Sequence, residues 1–397
     1  MPLVDMKDTL RHAYRNGYAV GAFDLVSLDF LDGIMAAAEK HRSPVILSLA
    51  ESHFDHFDFE LLTPAVERAA RRASVPVAIH LDHGATLESA IVAINLGCNG
   101  VMVDASTQSF RDNIRNTSAV VDMAHACGVP VEGELGYVPG VEGEDAERHP
   151  EEVAYTTAAE ARQYVDETGV DFLAVSIGTV HGRMQGEPNL DIARLREINS
   201  TLGLPLVIHG GTGLSESQFK QLIENGVAKI NYYTALSDAA AERLLVNAKD
   251  KPKGSFTTLM DGVSDAISLE AGRCMQLWGS ADRADEVLAD SEPWAPVEHL
   301  IIYNVTGISE EQTHAMIVEG QKVLSTIPGV LEVVTGEAVK SDADYRYAWL
   351  VRFCHPTVID SYRDHPLHVA FADNKFRPVA GGRISIDYQA IVPGATD

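Results

Sequence analysis

Val75-Pro76-Val77-Ala78-Ile79-His80-Leu81-Asp82-His83-Gly84 is the stretch on which the fold turns. It is mostly apolar and β-branched, and it closes on an acid, a histidine and a glycine. It therefore reads as a buried strand that delivers polar groups at its C-terminal end. Seven more runs of this kind are Ala19–Phe23, Pro44–Leu49, Gly100–Val103, Val129–Leu135, Asp171–Ile177, Leu204–His209 and Val227–Tyr232. Between them lie helical patterns such as Leu87–Leu96, Asp112–Cys127, Thr157–Thr168 and Glu216–Glu224. This alternation, from Tyr18 to about Val246, is the signature of βα units around a parallel sheet. Eight strands match a closed (β/α)₈ TIM barrel better than the alternative, an open doubly wound sheet.

In such a barrel the C-terminal ends of the strands share one mouth. Here they carry Asp82-His83-Gly84, Glu132-Gly133-Glu134, Gly178-Thr179-Val180-His181-Gly182, His209-Gly210-Gly211-Thr212-Gly213 and Lys229-Ile230-Asn231. His83, His181 and His209 come from three strands, and each is followed by glycine. Three neutral nitrogen ligands with room for a fourth are what a catalytic zinc site needs. A single rim histidine would more simply be a hydrogen-bonded side chain; three at one mouth favour a metal. His80 lies within its strand and reads as structural. His53 and His56, after strand two, could line the mouth, but local loop contacts are the expectation. Gly210, Gly211, Thr212 and Gly213 form a turn whose amides can approach an anion, and the loops after strands seven and eight are the usual barrel phosphate site.

These motifs, together with Gly21-Ala22-Phe23, occur in the order and at the spacing that resemble the class II (zinc-dependent) ketose-bisphosphate aldolases. The resemblance covers residues 1 to about 250. It implies Zn²⁺ on His83, His181 and His209, with Glu134 as an alternative ligand as the metal shifts. It implies Asp82 as the acid/base for the hydroxyl at the breaking bond, and Glu142, with Glu144 as rival, for the proton on carbon. Gly182, Gly211 and Thr212 would bind the phosphate of a dihydroxyacetone-phosphate half, beside Gly210, with Asn231 and Thr234 completing that side. Chelation by a Lewis-acid metal would spread the carbanion's charge into an enediolate. The other reading of Asp82 is support for a ligand histidine.

Several positions depart from the family pattern. Asp24 stands where an Asn usually follows Gly-Ala-Phe, and Asn231-Tyr232-Tyr233-Thr234 replaces Asn-Val-Asp-Thr or Asn-Val-Ala-Thr. A lysine common after the sixth strand is replaced within Arg183-Met184-Gln185, and the arginine-bearing stretch for a distal phosphate is not recognisable. An uncompensated anion beside a carboxylate is costly. A variant aldolase with an unusual or non-phosphorylated aldehyde partner is therefore expected.

Residues 281–296, with acidic side chains, Pro293 and Pro296, read as a linker between a domain at 1–280 and one at 297–397. The second shows strands at Val297–Val305, Val330–Gly336, Tyr347–Phe353 and Arg383–Ile391, with helices at Glu310–Ile327 and Thr357–Arg363. This βαββαβ order is the ferredoxin-like α+β plan. Val297–Tyr303, Tyr362–Phe371 and Ile384–Tyr388 resemble the stress-responsive dimeric α/β-barrel family, whose members pair through their sheets. That implies a homodimer or larger homo-oligomer. The sharper alternative is a small-ligand pocket or second active site using His299, His365 or His368.

The 397 residues suit a barrel of roughly 250 residues plus a module of roughly 100. With 46% hydrophobic and 22% charged residues, there is apolar material for two cores. A formal charge of −26, from 31 basic and 57 acidic residues, with no basic stripe, argues against nucleic acid. Cys98, Cys127, Cys274 and Cys354 form no CxxC pair, and no apolar run suits a signal peptide or a membrane span. A cytoplasmic protein outside the membrane is expected. Two other functions remain in view: a Schiff-base aldolase using Lys229, and a non-catalytic sugar-phosphate-binding protein. The sequence leaves open whether a second divalent or a monovalent cation takes part.

Overall fold

The structure, a computed structural model, describes residues 2–140, 144–146, 154–184 and 189–390. The chain forms two compact units. In the first, β1 (Val20–Asp24), β2 (Val45–Ala50), β3 (Val77–Gly84), β4 (Gly100–Val103), β5 (Val131–Leu135), β6 (Phe172–Val175), β7 (Leu206–Ile208) and β8 (Val227–Tyr232) close into a parallel barrel in sequence order. Val20 pairing with Lys229 and Phe23 with Tyr232 join the last strand to the first. Nearly every strand residue is buried, so the strands read as continuous apolar runs rather than alternating ones.

A helix ahead of the first strand, Met6–Asn16, was not foreseen in the alternation. Asp5 caps its start by accepting from the Lys7 amide, and Gly17, at φ 67°, ends it. Its Met6, Leu10 and Ala13 pack with Val20, Ile46, Ala78, Phe172, Val207 and Ala228, near the starts of six strands. The helix thus plugs the end of the barrel opposite the strand tips.

The stretch 281–296, read as a linker, carries secondary structure of its own. It contains the helix Ala284–Asp290, which buries Ala284 and Val287. These apolar residues are three apart and share a face, and Val287 joins the cluster under the barrel while the acidic side chains face out.

In the second unit, β9 (Val297–Val305), β10 (Val330–Glu337), β11 (Tyr347–Phe353) and β12 (Ala380–Tyr388) form an antiparallel sheet in the order β10-β11-β9-β12. The helix Glu310–Leu324 follows β9, opened by a capping box of Ser309 and Gln312. Val358–Asp364 and Pro366–Phe371 follow β11. The final strand begins at Ala380 rather than Arg383. No helix among the described residues is long and apolar enough to cross a membrane.

Leu10 is fully buried in the plug. Leu10→Ala is expected to lower stability by about 2–5 kcal/mol through lost burial and the cavity left behind. Chemical denaturation followed by circular dichroism checks this; a loss below about 1 kcal/mol would mean that the helix does not support the barrel.

Candidate active site and metal centre

The mouth is built from strand ends. His83 leaves β3 with φ 47°, a left-handed backbone that a side-chain-bearing residue adopts at a cost of roughly 1–2 kcal/mol. The β3–β4 register shifts between Leu81 and Gly84. Strain at such a point marks a residue held for a purpose. The His83 Nδ1 lies 2.8 Å from Asp104 Oδ2, just past β4.

His181 and His209 are oriented in the same manner. His181 Nδ1 lies 3.2 Å from the Val138 carbonyl, and His209 Nε2 lies 3.1 Å from Glu132 Oε1. The acceptors require these nitrogens to carry the hydrogen, so each ring spends one nitrogen on an anchor. His83 Nε2, His181 Nε2 and His209 Nδ1 are left. One donor nitrogen from each ring lies within 4.8 Å of the others, and His181 Nε2 is 3.5 Å from His209 Nδ1. Tetrahedral zinc at about 2.0–2.1 Å from each nitrogen would hold its ligands roughly 3.4 Å apart. His83 Nε2 is buried with no hydrogen-bond partner among the described residues, an arrangement that is costly unless something binds there. The donor set therefore fits a divalent metal.

Asp82 sits beside this trio, fully buried. Its Oδ1 accepts from Asn231 Nδ2 at 2.8 Å, while Oδ2 has no partner among the described residues. Burial would raise its pKa, but the positive charge of His83, with His209, Lys229 and His80, holds it below the usual carboxylate range. Glu134 behaves in the opposite way: burial, then repulsion from Asp104, pushes it up to about 8. Glu134, Asp104 and His83 form a second cluster of possible ligand atoms within 4.8 Å.

The remaining predicted residues fall as follows. Asp24 is fully buried at the end of β1, level with Ser48 of β2. Gly182 has φ 85° and Gly210 φ 69°, and a Cβ on Gly210 would lie 2.0 Å from the Val180 carbonyl oxygen. Only glycine lets this turn pass the loop that carries His181. Gly211 is buried and Thr212 half-buried in the same turn, while Asn231 and Thr234 are buried at the end of β8. Glu142 lies outside the described residues. Glu144 is described and exposed, and its carbonyl accepts from the Arg183 amide at 2.7 Å.

His80 is buried within β3, 3.4 Å from Ser48 Oγ. His53 is less local than expected. Its ring centroid is 4.5 Å from that of Tyr233, after β8, and burial lowers its pKa against the pull of Asp82.

Two anchors were missed by sequence reasoning. Asp104 stands directly after β4, so the strand-end rule could have found it. Glu132 lies two residues before Glu134 on a buried strand, hence on the same face. Its Oε2 accepts from Lys229 Nζ at 2.7 Å, with both side chains wholly buried. Burial opposes the Glu132 charge, but Lys229 and the His209 hydrogen bond bring its pKa to about 2. Lys229 is thus the counter-ion of a carboxylate, an unsuitable state for a Schiff-base nucleophile.

Known proteins resemble the chain in both units. The family model "Fructose-bisphosphate aldolase class-II" matches residues 4–283, and "Stress Responsive A/B Barrel Domain" matches residues 297–390. A probable fructose-bisphosphate aldolase of Bacillus subtilis (strain 168) is 43% identical over 254 residues, covering 63% of this chain and 88% of the relative. A fructose-bisphosphate aldolase of Geobacillus stearothermophilus is 40% identical over 291 residues, covering 72% and 99%. The crystal structure of the YdjI aldolase from Escherichia coli K12 superposes with a TM-score of 0.64 at 34% identity, covering 71% of this chain and 99% of that one.

Glu132→Gln would leave the Lys229 ammonium buried without its carboxylate and remove the anionic anchor of His209. The expected result is a 10–100-fold loss of metal affinity and destabilisation of about 3–5 kcal/mol. Chelator competition and thermal melts check these; wild-type metal affinity would show that Glu132 does not position His209.

Proposed function

The chain belongs to the class-II fructose-bisphosphate aldolase family and is a class II aldolase, and from that premise we propose zinc-dependent cleavage and formation of a carbon–carbon bond in a phosphorylated ketose, with dihydroxyacetone phosphate as the half that carries the negative charge. The carrying observation is the convergence of three inward imidazole nitrogens beside a buried, ionised carboxylate. His83, His181 and His209 would hold the zinc, with Glu134 within reach as an alternative ligand. A divalent ion there supplies Lewis-acid stabilisation for the charge that develops next to the carbonyl.

The protein's own groups handle the proton. Asn231 occupies Asp82 Oδ1, so Oδ2 is the atom available to take the hydroxyl proton during cleavage and return it in condensation. The Gly210-Gly211-Thr212 turn, with Gly182, Asn231 and Thr234, would hold the substrate phosphate through short backbone approaches. That local recognition is needed in a chain of net charge −26, whose field repels anions. Glu142, or Glu144, would move the proton on carbon.

Asp24 favours a second reading of the aldehyde side. A buried carboxylate disfavours a nearby phosphate, and Arg183 is held in an ion pair with Asp238. The aldehyde half would then carry no phosphate. A panel of aldehydes offered with dihydroxyacetone phosphate separates the readings, and fast turnover of fructose bisphosphate would remove the second.

Chelation should abolish cleavage and zinc restore it, whereas a non-catalytic sugar-phosphate binder would stay silent with metal present. Asp82→Ala should lower kcat by about 10²–10⁴-fold at unchanged zinc content. Loss of zinc in that variant would instead assign Asp82 to supporting a ligand.

We also propose that the second unit pairs copies of the chain. Ile384, Ile386 and Tyr388 of β12 are exposed at 53%, 54% and 40%. Ile384 and Ile386 register with Ile302 and Leu300 of β9, which makes one apolar sheet face that a second copy would cover. Light scattering should show Ile386→Asp at a smaller mass than the parent; an unchanged mass would place the contact elsewhere.

A further inference from the structure

The second unit contains a cavity that aldol chemistry does not use. Its volume is about 250 Å³, which suits a ligand of one ring rather than a drug-sized molecule. Phe353, Tyr362 and Phe376 supply aromatic wall, and His299 and His368 face the same space. The Tyr362 ring centroid lies 4.8 Å from Phe353 and 4.5 Å from His368.

Both imidazoles are fixed through Nδ1. His299 Nδ1 is 2.6 Å from Asp387 Oδ1, its register partner on β12, so the charge of Asp387 is spent on that ring. His368 Nδ1 donates to the Arg363 carbonyl at 2.9 Å. Burial favours its neutral form, which leaves Nε2 as a hydrogen-bond acceptor.

The local charge runs against that of the whole molecule. Three guanidiniums line the cavity of a protein with net charge −26. Asp360 and Asp364 pair with Arg363, and Asp373 pairs with Arg377. Arg383 has no ion pair among the described residues and is the one cation not already matched.

We propose that this cavity binds a small planar organic anion, with its ring against Phe353, Tyr362 and Phe376 and its single carboxylate on Arg383. A guanidinium suits that role because its fork matches both oxygens of a carboxylate. His368 Nε2 accepts from a polar substituent on the ring. The site is separate from the barrel mouth and stands whether or not the aldol assignment holds.

Benzoate is the test probe, added to the full-length, metal-loaded protein and followed by saturation-transfer NMR and calorimetry. Benzyl alcohol, which lacks the charge, and acetate, which lacks the ring, serve as controls. Benzoate is expected to bind saturably and at least about tenfold more tightly than either control. Arg383→Gln should weaken benzoate about tenfold, about 1.4 kcal/mol, with unchanged melting temperature and cleavage rate. Arg383→Lys should recover part of the affinity. Absence of saturable binding, equal binding of benzyl alcohol, or benzoate affinity indifferent to both Arg383 variants would overturn the proposal. Displacement of benzoate by a sugar phosphate would do the same, since it would place the probe in the barrel.

Discussion

Everything at the barrel mouth depends on how Glu132 is held. A carboxylate with no solvent exposure survives as an anion only when it is paired and hydrogen-bonded. Lys229 supplies the charge and His209 the second hydrogen bond. The arrangement sets which nitrogen of His209 carries the hydrogen and which one faces inward. Asp104 does the same for His83 and the Val138 carbonyl for His181, so three rings from different strands turn their second nitrogens to one point. Removing an anchor would free a ring and also leave a buried charge unmatched. The electrostatics of the interior and the geometry of the site are therefore one problem.

The barrel makes this possible by bringing distant sequence together at the ends of parallel strands. Asp82 and Asn231 are 149 residues apart yet share a hydrogen bond across the mouth. Helix Met6–Asn16 closes the opposite end with the apolar packing of Met6, Leu10 and Ala13, and Tyr14 donates to Asn199 Oδ1 beside it. Stability is concentrated below, and unsatisfied polar atoms such as His83 Nε2 and Asp82 Oδ2 lie above, where function can use them.

Much of this was legible in the sequence, for identifiable reasons. Gly100–Val103 and Val227–Tyr232 form strands with the expected ends because each is an unbroken apolar run that is buried on both faces. Leu204–His209 shortens to Leu206–Ile208, since Pro205 cannot donate to a ladder and His209 turns away toward Glu132. Helix Ala284–Asp290 was hidden by its acidic residues, and its two buried positions are too few to produce a strong periodicity. The candidate histidines were visible because each stands at a strand tip before glycine. The anchoring roles of Asp104 and Glu132 were not, although both stand at strand segments the same rule reaches, because the pairing of a buried charge is a relation between strands that no single segment displays.

The central claim is that His83 Nε2, His181 Nε2 and His209 Nδ1 converge on one divalent ion beside Asp82. Anomalous diffraction at the zinc edge, from crystals grown with zinc, measures this most directly. The account predicts a peak bonded to those three nitrogens at about 2.0–2.1 Å. A zinc site elsewhere, such as the exposed cluster of Glu310, His314 and Glu337, with no density among the three rings, would contradict it.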